Sequence, residues 1–122
     1  MSVTVHLTRD SVAAGDDADA PHELALLVPD DATTEAMVAA ILDADYLPRI
    51  ASGRATWSVI SDRTLAVIAQ QWPEPRMVAD ASHPPERLLK DGSGYSFHVK
   101  YHAQQDPETV LAVLRRVRAP SV

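Results

Sequence analysis

The run Leu24-Ala25-Leu26-Leu27-Val28-Pro29-Asp30-Asp31-Ala32-Thr33-Thr34-Glu35-Ala36-Met37-Val38-Ala39-Ala40-Ile41-Leu42 sets a strand, a proline-acid turn and an amphipathic helix end to end without slack. Residues 23–28 are almost continuously apolar, which reads as a strand buried on both sides or central in its sheet. Pro29 ends that strand, and Asp31 or Thr33 can cap the helix after it. Glu35 complements the helix dipole, and Met37, Val38, Ile41 and Leu42 form one apolar face. A helix with such a face must lie on a sheet, so the chain is committed to mixing both kinds of element.

Alternation marks the other strands. Val3, Val5 and Leu7 face one way, with Ser2, Thr4, His6 and Thr8 the other. Residues 56–61 and 64–72 read as a hairpin turning at Asp62-Arg63. A two-residue loop there sets Trp57 opposite Ile68, a core pair worth about 0.5 kcal/mol beyond its burial. Pro73 and Pro75 break the second strand and leave Arg76-Met77-Val78 as an edge piece. Tyr95, Phe97, Val99 and Tyr101 alternate with Ser96, His98, Lys100 and His102 in the clearest strand of the chain. Asp106-Pro107-Glu108 then starts a helix whose apolar face is Val110, Leu111, Val113, Leu114 and Val117.

This order, with the junction Val28-Pro29-Asp30-Asp31-Ala32-Thr33-Thr34, resembles the ubiquitin-like β-grasp pattern over residues 2–102. The resemblance implies an α+β fold, a mixed β-sheet with one helix packed across it, to which this chain adds a C-terminal amphipathic helix. β-Grasp domains serve as protein-binding modules, sulfur carriers or parts of larger enzymes. The chain closes Arg118-Ala119-Pro120-Ser121-Val122 instead of on two glycines, so conjugation or sulfur transfer through a terminal carboxylate is not expected. Another α+β arrangement, such as a ferredoxin-like split unit with an added strand, is the competing fold.

Length and charge bound the rest. The 122 residues fit one domain, 1–122, with an acidic loop at 11–21 and a polar loop at 79–94. A formal charge of −6 repels phosphate backbones, so nucleic acid is not an expected partner. Arg115, Arg116 and Arg118 fall in the last turn of a helix, where cations complement the dipole. The absence of cysteine excludes disulfides, thiolate nucleophiles and Cys-based zinc. No apolar run reaches membrane-spanning length and the first residues lack the pattern of a signal peptide, so a cytoplasmic protein with no membrane partner is expected. Arginine outnumbers lysine nine to two, pointing to a GC-rich bacterial source.

Chemistry is thinly written. Asp16, Asp17 and Asp19 lack the spread ligands and terminal glutamate of a calcium loop. Gly92-Ser93-Gly94 has no following Lys-Ser or Lys-Thr and reads as a flexible element of the polar loop, not a phosphate cradle. His98 and His102 share a face but lie about 13 Å apart along an extended strand, too far to share one ion. A nominal triad drawn from Ser93, His83 or His98, and Asp80 has no nucleophile elbow around it. We therefore expect no catalytic residue, metal or cofactor.

Two functional readings are compatible with these residues. The first is a small non-enzymatic protein-interaction module presenting Thr4, His6, His98, Lys100 and His102 on a polar sheet face, with a protein partner or self-association through residues 110–117. The second is an anionic-ligand-binding domain or small enzyme whose loop-lined pocket gathers Arg49, Arg54, Trp72 and Arg87, since arginines grip carboxylates and phosphates.

Overall fold

Alternating apolar residues from the two ends of the chain meet in the middle of one sheet. The computed structural model describes residues 2–10, 23–44, 46–47, 55–78, 88, 90–92, 94–103 and 105–118. In chain order the elements are β1 (Ser2–Arg9), β2 (Glu23–Pro29), α1 (Thr34–Asp43), β3 (Thr56–Ser61), β4 (Arg63–Ala69), β5 (Arg76–Met77), β6 (Lys90–Asp91), β7 (Gly94–Tyr101) and α2 (Pro107–Arg118). The chain is α+β. Its mixed sheet runs β2-β1-β7-β3-β4-β5, and the short β6 folds back onto β7. Among the described strands only β1 and β7 are parallel; the other pairs are antiparallel.

The inner face carries the core. Val5, Leu7, Trp57, Val59, Phe97 and Val99 are buried there with Met37, Val38 and Ile41 of α1. The Trp57 ring lies 4.6 Å from Tyr101, tilted at 40°. Thr33 caps α1 by accepting the Ala36 N–H at 3.1 Å, and the turn before it closes with Ala32 N–H on Pro29 O at 3.0 Å. α2 packs on the opposite face, where Val110 and Leu111 enclose Val67, with Trp72, Val78 and Leu114 at the margin. It is capped by Asp106, whose Oδ2 accepts Thr109 N–H at 3.1 Å and Thr109 O–H at 2.8 Å. Arg115 donates to Met77 O at 2.9 Å, so this arginine ties α2 to the sheet margin besides complementing its dipole.

Several expectations need correcting. β2 is an edge strand, not a central one. Its apolar run is half covered: Val28 is buried, Leu24 and Leu26 are half-buried, and Leu27 is 74% exposed. A continuous apolar run reads the same whether both faces or only one is covered, so the run could not place the strand. In the hairpin, Trp57 does oppose Ile68, but the turn is Asp62 alone, between paired Ser61 and Arg63. Asp62 takes a positive φ of 65°, which aspartate tolerates, and the register shift is absorbed at the buried Leu65, the unpaired extra residue of a β-bulge. Gly94 is not a flexible link: a Cβ there would stand 2.0 Å from Thr4 O, so glycine lets β7 approach β1. Its neighbour Gly92 turns the β6–β7 hairpin at φ 62°. Val113 is 49% exposed, so the apolar face of α2 is narrower than its sequence implies. His102 lies just beyond β7, although its N–H still donates to Thr56 O at 2.8 Å. The acidic loop 11–21 and most of the polar loop 79–94 lie outside the described residues.

Candidate functional site

The outer face of the sheet is shared between two regimes. α2 covers β4 and the neighbouring strand ends, while over β1 and β7 the same face carries Thr4, His6, Thr8, Ser96, His98 and Lys100. Register brings these together: His6 pairs with Ser96, Thr8 with His98, and Ser58 with Lys100. The residues expected on one polar face do share it. His6 and Lys100 are exposed; Thr4, His98 and His102 are half-buried.

Sequence reading missed a chain of hydrogen bonds on this face. Thr8 Oγ1 lies 2.9 Å from His98 Nδ1, and His98 Nε2 lies 2.8 Å from Asp10 Oδ1. A carboxylate only accepts, so Nε2 donates to Asp10, and in the neutral ring Nδ1 accepts from the Thr8 hydroxyl. The second carboxylate oxygen of Asp10 accepts the Tyr101 N–H at 3.0 Å. Burial works against charge on Asp10, but the bonds from Tyr101 and His98 and the charges of His98 and Lys100 outweigh it and hold its carboxyl below the ordinary 3.8. Alternation in β1 could have flagged Thr8, but nothing local announces Asp10 as a partner for a residue 88 positions away.

Hydroxyl, imidazole and carboxylate in this order have the connectivity of a nucleophile, a base and an orienting acid. The His98 and Asp10 side chains are partly open to solvent, at 43% and 40% exposure. The chain of bonds acts as a clamp: Thr8 of β1 and Asp10 just past its end grip a histidine of the parallel β7. The chain matches no protein-family model, no curated protein and no solved structure. Its chemistry therefore has to be read from its own side chains.

His102 stands where the open region meets α2. Its Nε2 is 2.8 Å from the Oγ of Ser58, a buried serine. Burial lowers the tendency of this imidazole to take a proton, and the Lys100 charge adds to that against a weaker pull from Asp10, leaving it below the ordinary 6.5. A shallow depression of about 140 Å³ lies beside it, lined by Gln105, Thr109, Val110, Val113 and Leu114.

Of the ligand candidates, only Trp72 is described; Arg49, Arg54 and Arg87 lie outside the described residues, as do His83, Asp80 and Ser93. Trp72 lines a second depression of about 260 Å³ with Leu42, Leu47, Trp57, Ile68 and Pro73. Among its described lining residues Gln70 already accepts the Ala55 N–H at 2.9 Å through Oε1. Arg76 stacks over the Trp72 ring at 4.1 Å and pairs with Glu108 at 3.5 Å, so Trp72 is held as packing between sheet and helix. Among the described residues no group of three histidine or acidic side chains could hold a metal ion. No helix among them is long and apolar enough to cross a membrane.

Proposed function

We propose that this chain is a cytoplasmic, β-grasp-type protein-interaction module that docks a protein partner on the open half of its outer sheet face. The observation that carries this reading is the incomplete cover of that face: α2 encloses Val67 on β4, whereas His6 and Lys100 stand exposed on β1 and β7. The β-grasp part is supported by a parallel first-to-last strand pair in the interior of the sheet and by α1 lying across the inner face. The clamp of Thr8, His98 and Asp10 serves such a module by fixing the shape of the docking face in advance, which lowers the ordering cost of binding.

The test is affinity capture from lysate with three proteins side by side: the wild type, a His6→Ala/Lys100→Ala variant, and a control with Glu35→Ala on the exposed side of α1. A partner held by the wild type and the control but lost by the double variant is the expected result. A partner that all three retain removes the sheet-face surface. If the wild type captures nothing, the module reading fails. A second reading rests on the depression at Trp72, whose described lining suits an apolar ligand better than an anion. A small molecule filling it would raise the melting temperature, and Trp72→Ala would cancel the rise.

A further inference from the structure

β2 ends the sheet, and among the described residues no strand pairs with its outer edge. Seven residues make it a long edge. Proteins guard such edges with short strands, lysine, a bulge or an internal proline. β2 has none of these: its register with β1 runs unbroken from Ser2↔Pro29 to Thr8↔Glu23, its one charge is its first residue, and its proline is its last. Leu27, the most exposed large apolar side chain among the described residues, sits in the middle of this segment.

We propose that this edge pairs, antiparallel, with the same edge of a second copy of the chain, on a two-fold axis through Leu26. Charge selects that register. Centred on Leu26, Leu24 faces Val28 and Ala25 faces Leu27, a small side chain against a large one, and Glu23 meets Pro29. Centring on Leu27 would set Glu23 against Asp31, and centring on Ala25 would set it against Leu27. Of these three registers, only the one through Leu26 lets two copies of charge −6 join without opposed carboxylates or a carboxylate pressed on a leucine, and an axis through Leu24 would pair only residues 23–25 of the strand. Residues facing each other across the axis share a face, so both α1 helices fall on one side and the two open outer faces become one continuous surface. The pairing lies in the plane of the sheet and leaves His6 and Lys100 exposed, so it is independent of partner docking on the outer face.

Sedimentation of the wild type over a concentration series tests the pairing, with two variants at the exposed positions 25 and 27. In Ala25→Lys/Leu27→Lys, lysine meets lysine across the axis twice; in Ala25→Glu/Leu27→Glu, glutamate meets glutamate. The wild type should reach twice the chain mass. Each variant should associate at least about tenfold more weakly, and an equimolar mixture of the two should regain the doubled mass through Lys–Glu pairs. Circular dichroism matching the wild type checks that both variants fold. A wild type that stays monomeric to its solubility limit overturns the proposal. So do double variants that dimerise like the wild type, or monomeric variants that fail to recombine.

Discussion

At Gly94 the fold has no room for a side chain. The contact a Cβ would make is with backbone, Thr4 O, so no rotamer can relieve it and β1 and β7 would have to part. Gly94→Ala should therefore cost about 3 kcal/mol, read as a drop in the urea midpoint, while Gly92→Ala, with open space around it, should cost less and only through its positive φ. Arg9 shows the opposite economy. It lies on the inner face at 5% exposure, its guanidinium 6.0 Å above the Tyr46 ring and one amine donating to Asp10 O at 3.0 Å. Burial pushes the Tyr46 phenol up to about 12, against the pull of Arg9 and with some help from Glu23. The folded state thus favours the neutral phenol. Its contribution is whole below the ordinary 10 and is lost as pH rises through about 12. In Tyr46→Phe that alkaline loss of stability should disappear from a denaturation series in pH.

Helices here depend on single caps and one buried stripe each. Asp106→Ala removes the acceptor for both Thr109 donors and should cost about 1 kcal/mol, with α2 exchanging its first-turn amides faster. At this scale the sequence was most readable. Period-two alternation announced β1 and β7, Asp106 announced the start of α2, the start of α1 was left between Asp31 and Thr33, of which Thr33 is the cap, and the Trp57–Ile68 register agreed with the turn position even though the turn itself is tighter. The hidden features belong to pairs of elements. The apolar run of β2 could not say it was an edge, and the β6 hairpin is too short to show a period. The Thr8–His98–Asp10 clamp depends on which strand lies beside which, a fact no local pattern carries.

His102 and Asp10 each take stability from the fold in acid. His102 is held neutral in the fold, so the unfolded chain takes up its proton first, and stability falls as pH drops below the ordinary 6.5. Asp10 is held charged, so its contribution, whole above 3.8, is lost as pH falls through its lowered folded value. Two descending steps on acidification are expected in urea titrations, the upper removed by His102→Gln and the lower reduced by Asp10→Asn. The parallel pair in the interior of the sheet has a kinetic consequence. Thr8 must meet a strand residue 90 positions further along, so β1 can only be completed after β7 exists. Local pieces, the β3–β4 hairpin and α1, can form early, but the two halves of the sheet are joined by the longest loop closure in the topology. During synthesis β1 leaves the ribosome before the other described strands and meets β7 late, with β2 as the earlier of its two described strand partners.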